Sequence, residues 1–316
     1  MPVLKGTGDC MWLMLNKGRT DTTENTDVFE HERPRMTTND HELAMNKRIG
    51  VLLPVYKNDS IMFLKKSVGS ILGQTLEDYH IYIGVDGPVG DELDECLKKL
   101  NEENRITVVR FDVNRGLACV LNDLIAICKK EGYEYFARMD ADDISLLDRF
   151  EKQVKYLEEH PDVDVVGGAI EEIDGNDNLR GKHVEYPLTH EESRNFFRYR
   201  DPLAHPAVMF RARYFEKVPT GYRNEYRKNQ DTMLWFDGFM NGCVFANVKD
   251  TVLHFRVNDD FYNRRNGWKR AKQMLRDRMK MNKALGYDIS ANLFALGMFC
   301  MTVSPSWVKK ILYKIR

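Results

Sequence analysis

Three carboxylates stand within four positions at the end of an apolar, aromatic run. The pattern of residues 135–139 predicts a buried strand, and Asp140, Asp142 and Asp143 follow it. Like charges this close repel one another and lose hydration at the edge of a core, so they need a cation or a cluster of hydrogen-bond donors. A hard divalent ion with oxygen ligands is the simplest such partner. The residues alone leave a second interpretation open, in which the acidic turn only caps the next helix.

The segments around this acidic turn alternate between two periodicities. Short apolar runs typical of buried strands occupy residues 49–55, 79–85, 106–111, 135–139 and 163–167. Amphipathic helical patterns lie between them, at residues 61–72 (after Asp59 or Ser60 as the cap), 93–100, 117–129 and 146–159. Strand and helix alternating in this way predict an α/β fold with a parallel sheet covered on both faces.

The regular alternation stops after Gly168. Beyond it the patterns predict a hairpin at residues 171–178, a helix capped by Thr189 at 189–198 and a strand at 205–210. They also predict a longer helix at residues 230–240 and two further strands at 243–247 and 251–256. We expect this half to complete the sheet and to form a wall opposite the first half.

Acidic residues end two strands of the predicted sheet. Asp86 follows the second strand, and Asp140 and Asp142 follow the fourth. Ligands bind beyond the carboxyl ends of parallel strands, so these side chains are expected around one crevice. The turn at residues 54–59 lacks the glycines of a dinucleotide fingerprint, and the chain holds no P-loop sequence. An acidic crevice with a divalent ion suits a diphosphate, because the ion neutralises both partners.

Composition indicates a soluble globular protein with an uneven charge distribution. Of its 316 residues, 43% are hydrophobic and 30% are charged, and the formal net charge is -1. Residues 264–316 hold 13 Lys and Arg against 2 Asp, a net charge of +11, which leaves -12 for the rest of the chain. The six cysteines show no C-x-x-C spacing, which favours a reducing compartment and argues against structural zinc.

The two ends of the chain differ from the alternating part. Residues 1–45 are polar without a sustained period and are predicted to be a disordered leader, with Met45 as an alternative start. No apolar run reaches about 18 residues, the length of a membrane span. Residues 268–280 and 304–316 have amphipathic basic patterns typical of helices that lie on an anionic membrane surface. The alternative is a helix that packs on the domain and leaves its basic face in water.

Six segments occur in the order found in family 2 glycosyltransferases. They are residues 54–56 (PVY), 86–91 (DGPVGD), 114–118 (NRGLA) with Asn122, 137–143 (ARMDADD), 205–211 (HPAVMFR) and 230–235 (QDTMLW). Through them the chain resembles this family of nucleotide-diphospho-sugar transferases, in particular its bacterial exopolysaccharide and O-antigen members of the amylovoran type. The resemblance implies the GT-A fold, an α/β architecture with a mostly parallel central sheet flanked by helices. It places a catalytic domain at residues 46–262 and a basic helical C-terminal region at residues 263–316.

The resemblance assigns the donor nucleotide to the first half of this domain. Pro54, Val55 and Tyr56 would shape the base pocket, with Tyr56 packing on the base. Asp86 would accept a hydrogen bond from the imide NH of uracil or thymine. The structural alternatives are a plain strand exit for the first three and a helix cap for Asp86. Lys57 stands where the family usually has Asn.

The same resemblance places charged residues close to the donor diphosphate. Arg115 and Gly116 would start a helix whose free amides and guanidinium attract anions. Arg138 would pair with Asp140 or with a sugar hydroxyl. Asp140 would hold the ribose or the sugar, and Asp142 would ligate a Mg²⁺ or Mn²⁺ ion that bridges the two phosphates.

Asp231 is the predicted catalytic base. A single displacement needs one carboxylate to take the proton of the acceptor hydroxyl, and inversion at the anomeric carbon follows from this assignment. Gln230 stands where the family more often has Glu. His205 would meet the acceptor or the diphosphate, and Trp235 would stack on an acceptor sugar; both positions also fit structural roles.

These assignments together predict an inverting, metal-dependent glycosyltransferase. Its donor would be a nucleotide-diphosphate sugar, in particular a UDP-sugar, and its acceptor a lipid-linked saccharide of bacterial surface polysaccharide synthesis. The expected location is cytoplasmic and peripheral, on the inner face of the plasma membrane, with no nucleic-acid partner. Two other interpretations are a haloacid-dehalogenase-like phosphotransferase or phosphatase, suggested by residues 140–144, and a non-catalytic subunit that binds nucleotide sugars.

Overall fold

The computed structural model describes residues 48–257 and 268–304, which belong to one compact unit at residues 46–316. The expected leader at residues 1–45 and the basic segment at residues 305–316 lie outside the described residues.

The described ranges contain nine strands in a single mixed sheet. They are β1 (Ile49–Val55), β2 (Tyr79–Val85), β3 (Ile106–Arg110), β4 (Tyr135–Arg138), β5 (Ile144–Ser145), β6 (Val165–Ile173), β7 (Leu179–Val184), β8 (Met209–Arg211) and β9 (Phe245–Arg256). The strand order is β3-β2-β1-β4-β8-β6-β9-β5, and β7 pairs with β6. β1 is parallel to β2 and β4, whereas β8 is antiparallel to both of its neighbours, β4 and β6.

Helices in the same ranges connect and cover these strands. They are α1 (Ile61–Leu72), α2 (Asp91–Leu100), α3 (Leu117–Glu131), α4 (Arg149–Glu159), α5 (His190–Phe196), α6 (Tyr214–Lys217), α7 (Gln230–Met240), α8 (Trp268–Ala284) and α9 (Ile289–Val303). Several begin at the caps that the sequence predicts. The Ser60 hydroxyl accepts a hydrogen bond from the amide of Phe63, and Thr189 forms a capping box with Glu192.

Successive residues of β1 pack into two separate hydrophobic clusters, because side chains alternate across a sheet. Ile49, Val51, Leu53 and Val55 belong to the cluster that also takes buried side chains of α1, α2 and α4. Leu52 belongs to the other cluster, together with side chains of α3, α7 and α8. Every residue of β1 is buried, which confirms the prediction of strands covered on both faces.

The second half of the sheet differs in detail from the predicted pattern. Residues 205–210 do not form one strand: His205–Ala207 is a 3₁₀ turn with Pro206 at its second position, and β8 begins only at Met209. A proline without an amide proton suits a turn better than the middle of a strand. The two strands predicted at 243–247 and 251–256 are one long strand, β9, whose pairing with β6 shifts register near Ala169.

The C-terminal helices α8 and α9 pack against each other. The rings of Trp268 and Phe299 lie 5.3 Å apart, and the Asn282 amide donates to the Asn292 side-chain oxygen at 3.0 Å. Within residues 48–257 and 268–304, no helix combines the length and the apolar composition needed to cross a bilayer.

Candidate active site

The carboxyl end of β4 opens into the predicted acidic loop. Carboxylate oxygens of Asp140, Asp142 and Asp143 lie within 4.8 Å of one another. Burial, and then the charge of Asp140, raises the pKa of Asp142 to about 6. Burial also raises the pKa of Asp143 well above its usual range. Removal from water and mutual repulsion therefore both act on these groups, as the sequence predicts.

The oxygen atoms of this loop fit a hard divalent cation. One oxygen of Asp143 (Oδ1) accepts from the amide of Arg256 at 2.8 Å, whereas its Oδ2 is buried without a hydrogen-bond partner among the described residues. Carboxylate oxygens are the ligands that Mg²⁺ and Mn²⁺ prefer. A cation next to this loop would offset the repulsion between the carboxylates and would give the unpaired oxygen a partner.

Asp59 is a fourth carboxylate at the same place. Burial, followed by the charges of Asp142 and Asp140, raises the pKa of Asp59 to about 7. Its Oδ2 accepts from the amide of Tyr56 at 2.9 Å. The helix cap predicted at Asp59 or Ser60 is Ser60, so Asp59 is free of that role. Its position just beyond β1, at the same edge as Asp140, was the signal that could have identified it.

Two buried arginines support the acidic loop from inside the protein. Arg138, the last residue of β4, is fully buried, pairs with Asp140 at 2.5 Å and also donates to the Met139 carbonyl. Of the two partners predicted for Arg138, Asp140 and a sugar hydroxyl, the structure shows the salt bridge with Asp140. Arg256 donates to the carbonyl of Asp142 at 2.7 Å, and its guanidinium carbon lies 4.1 Å from the ring centre of Phe63. These contacts fix the backbone that carries the carboxylates.

Asp86 is buried at the carboxyl end of β2 and binds the start of α3. Its two carboxylate oxygens accept from the amides of Arg115, at 2.7 Å, and Gly116, at 2.9 Å. The expected anion site at these amides is therefore filled by Asp86 itself. The guanidinium of Arg115 forms an ion pair with Asp123. Gly116 has a φ of 93°, which side-chain-bearing residues rarely adopt, so the loop depends on glycine here.

The three residues expected in the base pocket differ in their exposure. Pro54 and Val55 are buried in β1, and Val55 belongs to the hydrophobic core, so these two side chains do not line an open pocket. Tyr56 is 36% exposed at the strand exit. The Val55 carbonyl accepts from the amide of Asp86 at 2.8 Å, which brings Tyr56 and Asp86 to one edge. Of the three, Tyr56 can contact a base with its side chain.

A buried tyrosine that the sequence did not reveal, Tyr222, contacts the predicted site residue His205. The Tyr222 hydroxyl is 2.8 Å from His205 Nε2. Burial raises the pKa of Tyr222, Arg138 opposes that effect, and the charges of Asp231 and Asp140 add to it. The charges of both carboxylates therefore act on the Tyr222 phenol.

His205 is a neutral imidazole in this arrangement. Burial, and then the positive charge of Arg138, holds the pKa of His205 well below its usual range. Its ring packs edge-on against Tyr222 and Trp235, with centroids 5.5 and 6.1 Å away. The structure thus gives His205 a hydrogen bond to Tyr222 as its observed contact.

Asn122 holds the loop that carries Tyr222. Its side-chain amide donates to the Tyr222 carbonyl, and its side-chain oxygen accepts from the Tyr222 amide, both at 2.8 Å. Gly221 has a φ of 55°, and a Cβ there would lie 2.4 Å from the Asn122 oxygen. The motif residue Asn122 therefore acts on the site through the position of Tyr222.

Asp231 lies in the first turn of α7, where the helix dipole favours a carboxylate. Its Oδ1 accepts from the amide of Thr232 at 2.8 Å, and the Thr232 hydroxyl donates to Asp201 at 2.7 Å. Trp235, one turn further along, is fully buried and stacks on Phe210 with centroids 5.9 Å apart. The prediction that Trp235 stacks on an acceptor sugar is wrong, because its ring is enclosed in the core.

Relatives with known names match most of the chain. It is 30% identical over 267 residues to the amylovoran biosynthesis glycosyltransferase AmsE of Erwinia amylovora. This alignment covers 84% of this chain and 97% of AmsE. It is 29% identical over 228 residues to the UDP-Gal:alpha-D-GlcNAc-diphosphoundecaprenol beta-1,3-galactosyltransferase of Escherichia coli, covering 71% and 79%.

Solved structures share the fold at low identity. TarS of S. aureus in complex with UDP-GlcNAc aligns with a TM-score of 0.56 at 14% identity, covering 81% of this chain and 82% of TarS. TarS residues 1–349 in complex with UDP align with a TM-score of 0.55 at 13% identity, covering 75% and 69%. The chain therefore has the GT-A fold that the sequence motifs imply.

The family model for glycosyl transferase family 2 matches residues 51–218, more than half of the chain. This match spans Asp86, the acidic loop and His205, and the alignment with AmsE extends it to most of the sequence. Neither a haloacid-dehalogenase-like phosphotransferase nor a non-catalytic binding subunit accords with these matches. The chain belongs to glycosyl transferase family 2 and is a glycosyltransferase.

Proposed function

We propose that this glycosyltransferase inverts the anomeric centre as it moves a sugar from a UDP-sugar to a lipid-linked saccharide in bacterial surface polysaccharide synthesis. The observation that carries this proposal is the cluster of three carboxylates at the end of β4, accompanied by a separate carboxylate, Asp231, in the first turn of α7. The charges of Asp140 and Asp231 both act on the buried Tyr222. An acidic cluster for the metal-bound leaving group and a separate carboxylate for the acceptor hydroxyl are what a single displacement requires.

The donor would lie at the carboxyl ends of β1, β2 and β4. Tyr56 would pack on the base. Asp86, held by two amides, would use its remaining lone pairs to accept the imide NH of uracil. Arg138 would act as a positioning residue, since it orients Asp140 toward the donor ribose or sugar. The solved TarS complexes with UDP and UDP-GlcNAc support this choice of nucleotide through their shared fold.

Asp142 would hold the divalent ion, together with oxygens of its neighbours in the acidic loop. A bound Mg²⁺ or Mn²⁺ supplies stabilisation of the negative charge on the departing diphosphate. The protein contributes the fixed carboxylate geometry, which Arg256 maintains by binding the backbone of Asp142 and Asp143.

Asp231 would act as the base for the acceptor hydroxyl. The position of Asp231 in the first turn of α7 favours a negative charge there through the helix dipole. The carboxylate takes the hydroxyl proton as the oxygen attacks the anomeric carbon, and the bond to the diphosphate breaks on the opposite face. One displacement with one base inverts the configuration at that carbon.

Donor selectivity provides the direct test of this function. We expect UDP-sugars with Mn²⁺ to raise the melting temperature of the full-length chain, because a ligand that binds the native state stabilises it. GDP- and ADP-sugars should give at most a small shift, since neither base presents a uracil imide to Asp86. Differential scanning fluorimetry with each donor, with and without EDTA, measures this. A GDP-sugar that stabilises the protein more than every UDP-sugar would contradict the choice of base.

We further propose that α8 and α9 seat the enzyme on an anionic membrane. The exposed residues of α9 include Ile289, 75% exposed, with Leu293, Leu296 and Cys300 at helical spacing, and the helix has no charged residue. Exposed basic residues of α8 repeat in the same way, at Lys272, Arg276, Lys280 and Lys283. Apolar side chains that enter a lipid interface and lysines that meet its headgroups are the two components of peripheral binding.

Substituting two leucines of this surface should release the protein from vesicles. Each leucine withdrawn from water contributes about 1.5–3 kcal/mol, so Leu293→Asp with Leu296→Asp should lower vesicle partition by at least about tenfold. Leu179→Asp, at an equally exposed leucine of β7, serves as the matched control. Co-sedimentation with phosphatidylglycerol vesicles measures the partition, which should also fall at high salt. Equal binding of the double variant and the control would exclude α9 as the membrane surface.

A further inference from the structure

An open groove lies between the segment that follows β7 and the helix α5. Its volume is about 580 Å³, which is within the range of pockets that bind small molecules. The lining combines aromatic and aliphatic side chains with two polar ones: Tyr186, Leu188, Phe196, Tyr199, Glu192 and Asn195. No Lys or Arg is among the described residues that line it. The groove thus lacks the positive charge that a phosphate or nucleotide needs.

The walls of this groove are fixed by hydrogen bonds to β9. The side-chain amide of Asn247 donates to the carbonyl of Pro187 at 2.7 Å and to that of Pro202 at 3.1 Å. The backbone amide of Asn247 donates to the Leu188 carbonyl at 3.3 Å. A Cβ on Gly167 would lie 2.2 Å from the Asn247 side-chain oxygen, so a glycine in β6 makes room for this clamp. The groove is therefore preformed, which lowers the entropy cost of binding.

One end of the groove is connected to the proposed catalytic base. The Asn247 amide that donates to Pro187 of the groove donates also to Pro202, the residue that follows Asp201. Asp201 accepts from the Thr232 hydroxyl at 2.7 Å and from the Arg278 guanidinium at 3.2 Å. Thr232 follows Asp231 directly and donates its amide to the Asp231 carboxylate. Hydrogen bonds thus link the groove, through Asn247 and the segment 201–202, to Thr232 and Asp231.

The other end of the groove meets the helix that we propose as the membrane surface. The ring of Tyr199 packs edge-on against Phe294 of α9, with centroids 5.0 Å apart, and its hydroxyl is 3.5 Å from that of Ser290. Tyr199 therefore borders both the groove and α9. A molecule anchored in the membrane beside α9 would therefore lie next to the groove.

We propose that this groove binds the neutral sugar residues of the membrane-anchored acceptor, next to the one that is glycosylated. The proposal rests on the proposed function, whose acceptor it describes further. Aromatic rings offer apolar faces to the CH groups of a pyranose, while Asn195 and Glu192 offer donors and acceptors to its hydroxyls. A groove whose lining holds no Lys or Arg, and which hydrogen bonds link to the segment of Asp231, suits a saccharide better than the diphosphate of the lipid carrier.

Saturation-transfer NMR on the full-length chain tests this site with defined probes. The probes are methyl glycosides of glucose, galactose, mannose and N-acetylglucosamine, with methyl phosphate as the anionic comparison. We expect saturation on at least one glycoside and none on methyl phosphate in the absence of Mn²⁺. In the variant with Asn195→Ala and Leu188→Ala that saturation should fall at least fivefold. Glu191→Ala, an exposed residue of α5 outside the groove lining, should keep it.

A donor measurement on the same proteins separates this inference from the proposed function. All three proteins should show the wild-type melting shift with UDP and Mn²⁺, because the groove does not touch the donor. The absence of saturation on every glycoside, or equal saturation in the groove variant and wild type, overturns the saccharide site and leaves the donor shift intact. Loss of the donor shift in wild type would instead contradict the proposed function.

Discussion

Replacing Asp231 with asparagine should lower turnover about 10²–10⁴-fold while donor binding stays unchanged. The carboxylate is assigned to take the acceptor proton, and a neutral amide cannot do so. Asparagine keeps an oxygen that can accept from the Thr232 amide, the bond that Asp231 makes at 2.8 Å, so the start of α7 should persist. Initial rates with saturating UDP-sugar and acceptor, together with the melting shift that UDP and Mn²⁺ produce, measure the two effects separately.

The matched control for this substitution is Glu216→Gln, at an exposed carboxylate of α6 in the same half of the protein. It removes the same charge and should leave turnover at the wild-type level. Wild-type turnover in the Asp231→Asn protein would remove the assigned base. A loss of turnover together with a loss of the donor melting shift would point to a donor-binding role for Asp231 and against proton transfer.

The first half of the sheet could be predicted closely because its strands carry a local signal. Every residue of β1 is buried, so the strand appears in the sequence as an unbroken apolar run, and β2 has nearly the same pattern. The acidic loop could be located for the same reason, since Asp140 interrupts such a run abruptly. Helix starts such as Ser60 and Thr189 follow from side-chain capping, which is also local.

Residues whose role depends on distant contacts could not be found in this way. Tyr222 lies in an irregular segment, and only its contacts with Asn122 and His205 connect it to the candidate site. For Trp235 the sequence instead predicted a contact with substrate that the structure does not show, since the side chain is buried. A tryptophan that lies near a catalytic residue in sequence can face either the core or the substrate. Helical position does not decide between these, whereas packing against Phe210 does.

The start of α3 shows how a correct local argument can identify the wrong partner. Free amides at a helix start attract an anion, and the sequence predicted the donor phosphate there. In the folded protein the anion is Asp86, whose carboxylate is brought from β2 by the sheet. The amides thereby fix the orientation of Asp86, which is expected to read the base, so their effect on the donor is indirect.

Asparagine at position 142 should remove most of the stabilisation that Mn²⁺ gives to the protein. At a free concentration 100 times its dissociation constant, an ion raises the free energy of unfolding by about 2.7 kcal/mol. An amide carries no charge to offset the removal of the ion from water. Mn²⁺ should therefore raise the free energy of unfolding of the variant by only a small part of this amount. Urea unfolding with and without Mn²⁺ measures the difference. Asp162→Asn, at an exposed carboxylate before β6, should retain the full gain.

The pH dependence of the same measurement follows from the raised pKa of Asp142. The pKa is about 6 in the folded protein against an ordinary value of 3.8, so between these values the native state binds the additional proton. Without metal, the contribution of this group to stability is therefore present below about pH 4 and is lost as the pH rises through about 6. Metal binding requires the ionised carboxylate, so the gain from Mn²⁺ should increase over the same interval. Asp142→Asn should weaken the pH dependence both of the stability without metal and of the stabilisation by Mn²⁺. If Mn²⁺ raised the free energy of unfolding of the wild type equally at pH 5 and pH 7.5, Asp142 would be excluded as the ligand.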